Sequence, residues 1–243
     1  MRLKPTANAR KPARKAASGS GRSLPRRALL LLLSGAAAFY LSVAFLLLVF
    51  RWVDPPTTAV RLERRIEALS RPGKYIERCE PVPLSQISPH LRHAVIAAED
   101  GNFYRHWGFD FDQIEIAVKE DWMERGRLRG ASTISQQLVK NLFLSTRGSF
   151  VRKGIEITLV PLAELLLGKE RILEIYLNQA EWGPGVFGAE AAAEFHYRTS
   201  ARRLSRQQAI RLAAVLPSPL RRRPGRMNRY SAIIDERMRA HGW

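Results

Sequence analysis

The longest apolar run in the chain covers residues 28–50, which read ALLLLLSGAAAFYLSVAFLLLVF and contain no charged side chain. A helix of this length spans a hydrocarbon core of about 30 Å. A cleaved signal peptide is the alternative, but its apolar region is about 7 to 15 residues long and is followed by small residues. Here Phe50-Arg51-Trp52 follows instead. We therefore predict an uncleaved transmembrane helix.

Behind this run, apolar residues recur at the 3.6-residue period of helices. The side chains from Leu91 to Ala98 predict a buried helix, with Ser88 as N-cap and Pro89 at its first position. Pro161 is expected to kink or split a later helix, because it lacks a backbone N–H. No strand alternation is evident, so the predicted class is mainly α. Further helices are predicted over 109–125, 132–142, 150–168, 169–177, 188–197 and 205–216.

Charge and composition suggest the remaining boundaries. The net charge of +18 belongs to the two ends, since residues 1–27 hold nine Lys or Arg and no acid, and residues 198–243 hold twelve Arg against two acids. Too polar to fold, the first stretch is predicted to be a disordered basic tail. Residues 51–80 are predicted as a juxtamembrane connector, 81–220 as the folded domain and 221–243 as a basic C-terminal segment.

The basic tail also predicts an orientation. Because basic flanks stay in the cytoplasm, the N-terminus is expected there and the domain in the periplasm, on a single-pass anchor in the cell inner membrane. The short basic stretch from Arg61 to Ile66 is expected to form a helix or an extended arm near the headgroups. A single cysteine, Cys79, permits no internal disulfide and no cysteine-based metal site.

The pair Glu99-Asp100 closes the apolar segment that begins at Ala94. Burial raises the pKa of a carboxyl group and makes its carboxylate a better base, so this pair is a candidate for chemistry. The plainer alternative is a solvated acidic pair at a helix end, which is the commoner situation for such residues.

A second candidate begins at Ser132-Thr133, which can open a helix with Ser132 as its cap. A helix N-terminus with hydroxyls and Lys140 further along suits an anionic group, although a capped surface helix with glutamines explains the pattern equally well. Arg152 and Glu156 are spaced for an ordinary i, i+4 ion pair. The basic loop 126–130 is suited to a phosphate or is simply solvated.

Four segments in order carry a resemblance: Glu99–Gly108 (EDGNFYRHWG), Gly130–Asn141 (GASTISQQLVKN), Arg152–Glu156 (RKGIE) and Lys169–Asn178 (KERILEIYLN). From about Pro89 to Pro219 the chain resembles the peptidoglycan glycosyltransferase family. It is most similar to the monofunctional biosynthetic transglycosylases, which have one membrane anchor and no penicillin-binding domain.

The resemblance implies a lysozyme-like α domain that polymerises lipid II into β-1,4-linked glycan strands and releases undecaprenyl pyrophosphate in one inverting displacement. It implies Glu99 as the general base and Glu156 as a second, supporting carboxylate. Asp100, Phe103, His106 and Gly108 are expected to shape the loop beside Glu99. The residues expected to bind substrate are Lys140, Arg152, Lys153, Gln136, Gln137, Ser132, Thr133 and Asn141.

The expected partners are lipid II, the nascent glycan chain and the membrane. Proteins of cell-wall synthesis or division are compatible with the resemblance as further partners. No metal ligand and no certain cofactor is implied, although Mg²⁺ or Mn²⁺ is compatible with the resemblance. A glycan-cleaving enzyme of the lysozyme-like kind is the main alternative. A membrane-anchored nucleic-acid-binding protein fits the charge, but the predicted orientation places the C-terminal arginines outside the cytoplasm, so no nucleic acid is expected.

Overall fold

The computed structural model describes residues 23–70, 75–124 and 132–243. Residues 1–22 of the predicted tail 1–27 and the basic loop 126–130 lie outside these residues. Residues 23–27, predicted to be disordered, are helical, so the predicted boundary at residue 28 is wrong. The chain divides into two compact units, residues 1–41 and 42–243. The ten α-helices of the described residues are α1 Ser23–Phe50, α2 Ala59–Leu69, α3 Pro89–Glu99, α4 Phe111–Glu124, α5 Ile134–Phe143, α6 Phe150–Leu167, α7 Lys169–Gln179, α8 Ala189–Tyr197, α9 Arg206–Ala213 and α10 Asn228–Ala240. The predicted mainly α class is confirmed.

The apolar run near the N-terminus is helical. Within the described residues, Arg26–Phe50 is long and apolar enough to cross a membrane, with a mean hydropathy of 2.3 over its best window, of which 11% is buried. Leucines 29 to 33 are all more than half exposed. The length and composition of this helix are compatible with a membrane anchor.

The core of the unit 42–243 consists of two groups of helices. Helix α3 packs against α9 and α10, while α5 packs against α6, α7 and α2. The hydroxyl of Ser88 donates to the backbone oxygen of Leu204 at 3.0 Å, so it links α3 to the segment before α9 and makes no bond to its own helix. Glu99 ends α3 in the first group and Lys140 lies on α5 in the second. Glu99 and Lys140 therefore lie where the two groups of helices meet.

Helix α2 is fixed to the domain by Arg61, which is 7% exposed. Its guanidinium donates to Glu77 Oε1 at 2.6 and 2.8 Å and to Gln179 Oε1 at 3.2 Å. Arg65 reaches the same carboxylate from a more exposed position. Both arginines hold the pKa of Glu77 below its ordinary value, through hydrogen bonds and charge. The predicted basic arm is thus a helix held against α5 and α7.

A small sheet was not expected from the sequence. Its strands are β1 Arg78–Cys79, β2 Glu181–Gly183 and β3 Val186–Phe187, in the order β1-β3-β2. β1 and β3 are parallel, with Arg78 opposite Val186, and β2 and β3 are antiparallel, with Glu181 opposite Phe187. These strands have only two or three residues each, and every residue of β2 and β3 is buried. Such strands leave no alternation to detect.

The N-caps of α5 and α9 can be compared with the capping residues in the sequence. At α5 the cap is Thr133, and the predicted Ser132 cap is wrong. Thr133 Oγ1 accepts from the backbone N–H of Gln136 at 3.2 Å, and the Gln136 side chain accepts from the N–H of Thr133 at 3.0 Å. This reciprocal capping box satisfies two donors that the helix cannot. At α9, Ser205 and Gln208 form a second capping box.

Pro161 lies inside α6, which continues from Phe150 to Leu167 as one helix. The predicted split is wrong. Pro161 and Ile157, whose carbonyl loses its usual donor, both lie on the exposed side of the helix. Ile157 is 45% exposed, so its carbonyl loses a helix donor on the solvent side, where the missing bond is tolerated.

Candidate active site

Glu99 ends α3 and lines a cavity of about 380 Å³. Its Oε2 accepts a hydrogen bond of 2.7 Å from Nε2 of Gln137. Its Oε1 is buried and has no hydrogen-bond partner within the described residues. Burial raises the pKa of Glu99, and the Gln137 bond and the charges of Lys140 and Arg222 oppose that rise. A carboxylate with a raised pKa and one free oxygen beside a cavity is suited to accept a proton.

The amide of Gln137 has a second partner. Its Oε1 accepts a 2.9 Å hydrogen bond from the hydroxyl of Tyr176 on α7. Tyr176 is 1% exposed, and burial together with the charges of Glu99 and Asp100 raises its pKa well above the ordinary value. Its hydroxyl therefore keeps its proton and remains a donor. Gln137 thus bridges Tyr176 and Glu99.

Asp100, the other member of the acidic pair, is directed into the protein and is 6% exposed. Its Oδ2 accepts from the backbone N–H of Ile134 at 3.0 Å, and its Oδ1 lies 2.8 Å from Nε2 of His106. The N–H of Gly108 donates to His106 Nδ1 at 3.1 Å, so the proton of a neutral imidazole is on Nε2 and is shared with Asp100. Asp100 links the loop 100–108 to the start of α5.

Gly108 allows that loop to pass close to α6. Its φ is +86°, and a Cβ at this position would lie 2.3 Å from Cγ1 of Val160. Its carbonyl accepts from the Thr133 hydroxyl at 2.7 Å. Phe103 in the same loop is fully buried beneath the ammonium of Lys169, which lies 4.5 Å from the ring centre. The loop beside Glu99 is held by packing as well as by hydrogen bonds.

Lys140 lies on α5, one helical turn after Gln137. Burial lowers its pKa; the carboxylates of Glu156 and Glu99 oppose that shift, and the charges of Arg152 and Lys153 add to it. Lys140 therefore lies within electrostatic reach of both predicted carboxylates. It lines a second cavity, of about 170 Å³, with residues of several helices, among them Arg64, Gln137, Asn141 and Tyr176.

Glu156 is 3% exposed on α6 and is surrounded by its own helix's cations. Arg152 Nη1 donates to its Oε2 at 2.7 Å, and Lys153 Nζ donates to its Oε1. The two basic side chains are themselves 19% and 39% exposed. Glu156 thus holds both cations with their outer surfaces accessible, which an anionic group needs.

Comparison with known proteins gives the family. The family model described as Transglycosylase matches residues 66–240. The chain belongs to the transglycosylase family. The resemblance found from the four motifs is confirmed, and with it the glycosyltransferase class of the enzyme and the lysozyme-like, mainly α fold.

Three relatives of this transglycosylase are each described as a biosynthetic peptidoglycan transglycosylase. The protein of Pseudomonas putida strain F1 is 50% identical over 188 residues, covering 77% of this chain and 79% of the relative. That of Ectopseudomonas mendocina strain ymp is 48% identical over 221 residues, covering 89% of each. That of Pseudomonas syringae pv. syringae strain B728a is 51% identical over 198 residues, covering 81% of each.

The predicted substrate-binding residues of α5 separate into two sets. Ser132 is exposed and lines the Glu99 cavity, and Asn141 lines the Lys140 cavity. Thr133 and Gln136 are 3% and 4% exposed and bond each other in the capping box. Their polar atoms serve the start of the helix in this arrangement, whereas Ser132 and Asn141 are available to a ligand. The binding roles of all four stay predictions.

Sequence reasoning missed the helix α10, which lines the other side of the Glu99 cavity. Tyr230 donates to the carbonyl of Ala98 at 3.3 Å, and Arg237 donates to that of Ala97 at 3.2 Å. These carbonyls belong to the last turn of α3, whose oxygens have no partners within the helix. The signal was present, because residues 231, 234 and 238 are buried at helical spacing. The high arginine content of this segment concealed it.

One group of acidic and histidine side chains within the described residues has its ligand atoms within 4.8 Å of one another: Asp100, His106 and Asp110. These ligand atoms already form hydrogen bonds within the protein. Both ring nitrogens of His106 have partners, and Asp110 accepts from the side-chain amide of Asn102 at 2.9 Å. The group does not fit a cation in this arrangement. The expectation that Mg²⁺ or Mn²⁺ is compatible with the enzyme stays a prediction.

Proposed function

We propose that this transglycosylase polymerises lipid II, the undecaprenyl-pyrophosphate-linked disaccharide pentapeptide, into the β-1,4-linked glycan strands of peptidoglycan. The observation that carries the proposal is Glu99, a carboxylate at the end of a buried helix, with one oxygen that has no partner within the described residues and with a cavity of about 380 Å³ beside it. The descriptions of the relatives support the same product, since all three are biosynthetic peptidoglycan transglycosylases.

In the proposed step, the acceptor hydroxyl oxygen attacks the anomeric carbon of the donor sugar. A new C–O bond forms, the bond from that carbon to the diphosphate breaks, and the electron pair leaves with the diphosphate. The hydroxyl proton passes to Glu99. An α-linked donor gives a β-linked product in this way, so a single inverting displacement suffices and no covalent sugar–enzyme intermediate forms. The buried position of Glu99 supports its role, because a raised pKa makes a carboxylate a stronger base.

The leaving diphosphate concentrates negative charge, which cations stabilise as it develops. Lys140, Arg152 and Lys153 are proposed to meet it. The reach of Lys140 to both carboxylates and the partial exposure of the other two cations support this role. Glu156 is proposed to act as electrostatic support by holding Arg152 and Lys153. An enzyme that only cleaves glycans releases no diphosphate and has no need of these cations.

The proposed location is the cell inner membrane, with a cytoplasmic N-terminus and a periplasmic domain. The apolar helix Arg26–Phe50 and the basic residues before it support a single-pass anchor. A further support is the exposed side of α6, which is free of charged side chains. It consists of Phe150, Val151, Gly154, Ile157, Thr158, Pro161 and Leu165.

This uncharged side of α6 is near the end of the anchor helix. Nη1 of Arg51 donates to the carbonyl of Leu166 at 3.0 Å, and Nε of Arg171 donates to the carbonyl of Phe50 at 2.8 Å. An apolar surface continuous with the point where the chain leaves the bilayer is suited to lie in the interface. That position gives the active site access to a substrate that is itself anchored in lipid.

The deciding experiment supplies lipid II to the purified full-length chain in lipid vesicles and measures glycan polymer. Wild type is expected to make polymer, and Glu99→Gln is expected to lose about 100-fold to 10,000-fold in rate. Asp100→Asn is the comparison: Asp100 also lines the cavity, but both of its oxygens bond protein groups, His106 and the N–H of Ile134, so it is expected to lose mainly stability or affinity. Polymerisation by Glu99→Gln at the wild-type rate contradicts the proposed base.

Two further measurements test the rest of the proposal. Release of soluble fragments from finished peptidoglycan, without polymer from lipid II, would favour the glycan-cleaving alternative. A reporter enzyme that is active only outside the cytoplasm, fused after Trp243, is expected to be active. A cytoplasmic reporter active at the same position would reverse the proposed orientation.

A further inference from the structure

Tyr176 belongs to the fourth motif, and the proposed reaction gives it no role. Its position suggests one. It is 1% exposed on α7, and its hydroxyl bonds the amide of Gln137, which in turn bonds Glu99. The two bonds, of 2.9 and 2.7 Å, form a continuous path from the core of the domain to the cavity.

The chemistry of an amide makes this path directional. The oxygen and the NH₂ of a glutamine side chain have nearly the same shape, so only their hydrogen-bond partners decide which one faces Glu99. An O–H directed at Oε1 of Gln137 leaves the NH₂ facing Glu99, where it stabilises the ionised carboxylate. The reversed amide would place a carbonyl oxygen against that carboxylate. Reversal is favourable only when Glu99 is protonated.

Glu99 has two oxygens, and this arrangement makes them different. Oε2 accepts from Gln137, while Oε1 is buried without a partner within the described residues. Buried acceptors without donors are uncommon in folded proteins, and a catalytic role is one explanation for them. The oxygen held by Gln137 is the less basic of the two, because one of its lone pairs already accepts a hydrogen bond from the amide. Oε1 is the one available to a hydroxyl in the cavity.

We propose that Tyr176 is a positioning residue for Glu99, acting through the side-chain amide of Gln137, and that Oε1 is the oxygen that accepts the proton. This inference rests on the proposed function of Glu99. It gives Gln137 a role in orienting the base in place of the predicted contact with substrate.

Several other groups face Glu99, and none replaces the amide. Lys140 and Arg222 favour the ionised form by charge, and Asp100 disfavours it. These effects do not depend on the orientation of Gln137, so they remain when Tyr176 is changed. The titratable or charged groups that act on Glu99 or line its cavity are Asp100 beside it, Asp110 before α4, Lys140 on α5, Tyr176 on α7, Arg222 before α10, Tyr230 and Arg237 on α10, and His241 after it.

The test is Tyr176→Phe in the full-length protein, with initial rates of polymerisation measured against lipid II concentration and pH. We expect kcat to fall by about 10-fold to 100-fold, as for a misplaced catalytic group, with KM within about twofold. The acid limb of the kcat/KM profile is expected at higher pH, because a free Gln137 amide no longer favours the ionised Glu99. A role confined to packing would lower stability and leave that limb in place.

Tyr197→Phe is the matched control, since the Tyr197 hydroxyl is also buried but has no partner within the described residues. It is expected to keep the wild-type rate and pH profile. A second variant, Gln137→Met, keeps the size of the side chain and removes both bonds. If the path exists, the double variant Tyr176→Phe/Gln137→Met has the same polymerisation rate as Gln137→Met alone, because Tyr176 acts on Glu99 only through Gln137.

Two results would overturn the inference: an unchanged acid limb in Tyr176→Phe, or losses that simply multiply in the double variant. These results are distinguishable from failure of the proposed function. An inactive Glu99→Gln beside an unaffected Tyr176→Phe removes only the positioning role, whereas an active Glu99→Gln removes the base itself.

Discussion

Nη1 of Arg152 donates a 2.7 Å hydrogen bond to Oε2 of Glu156, one helical turn later on α6. The carboxylate is buried and the guanidinium is partly exposed. Lys153 binds the other oxygen, so one buried acid orients two cations. From the sequence alone this pair is indistinguishable from a surface ion pair. The burial of Glu156 makes it a different kind of contact.

Glu156→Gln is expected to weaken both contacts. The free energy of unfolding should fall by about 1 to 3 kcal/mol, because charge-assisted bonds to a buried group are lost. Glycan polymerisation should fall further than stability explains, since Arg152 and Lys153 lose their orientation. Glu115→Gln removes the exposed i, i+4 pair with Lys119, whose side chains are 65% and 71% exposed, and should cost less than about 0.5 kcal/mol. Urea titration measures the free energy of unfolding of both variants. Equal losses in the two would contradict this account.

Gly108→Ala is expected to destabilise the protein by about 2 to 4 kcal/mol, because a positive φ and a Cβ contact of 2.3 Å with Val160 act together. Gly168→Ala provides the comparison, since Gly168 has a φ of +75° but nothing within 4 Å of its added Cβ. The loss of stability in Gly168→Ala should therefore reflect backbone strain alone. Adding Val160→Ala to Gly108→Ala should recover part of the loss. Chemical denaturation tests this order, and a Gly168 variant as unstable as the Gly108 variant would refute it.

Glu99→Gln is expected to stabilise the fold while it removes activity. The pKa of Glu99 is raised in the folded state, so its contribution to stability is greatest below its unfolded pKa and is lost as the pH rises through its folded pKa. A neutral glutamine avoids this loss. The melting temperature of the variant should therefore exceed that of wild type at about pH 8, by the equivalent of about 1 kcal/mol, and match it at about pH 4.

The exposed Glu194 on α8 supplies the control for that measurement. Glu194→Gln should leave the melting temperature unchanged at both pH values. A Glu99→Gln variant less stable than wild type at about pH 8 would mean that the charged side chain is not costly to bury, against the direction of its pKa.

Arg61→Met is expected to cost about 3 kcal/mol, because it leaves Gln179 and Glu77 without a buried donor. Arg65→Met, which removes an exposed contact to the same Glu77, should cost less than about 1 kcal/mol. Thermal melting of the two variants separates them. The comparison also asks how strongly α2, which begins before the matched family residues, is held to the domain. Equal costs would mean that burial of Arg61 adds nothing.

Periodicity and capping residues are enough to predict most of the helices. The bounds predicted for α3 to α9 are close to the observed ones, because their buried residues repeat at 3.6 and their ends carry Ser, Thr, Gly or Pro. Ser132 is mistaken for Thr133 because both can cap. Thr133 has a glutamine three residues later, as a capping box requires, and it also bonds Gly108. The sheet is missed because strands of two or three buried residues have no pattern of their own.

Within the candidate site, the resemblance indicates which residue types matter, but not what each one touches. Gln136 and Gln137 are adjacent and chemically identical, yet one closes a capping box and the other bonds Glu99. The capping-box spacing from Thr133 assigns Gln136 locally. The bond from Gln137 to Glu99 follows from which side of α5 faces α3, and no local rule gives it. The same holds for Tyr230 and Arg237, which reach Glu99's helix across more than 130 residues of chain.

The contact between α10 and the end of α3 bears on biosynthesis. The final turn of α3 is completed by donors 132 and 140 residues further along, so the carbonyls just before Glu99 remain open to solvent until α10 has been made and has packed. Contacts of such separation form late, because a long loop must close before they contribute. A chain that lacks α10 therefore has an unfinished end of α3 beside Glu99. On the proposed function, activity is expected only after nearly the whole domain has folded.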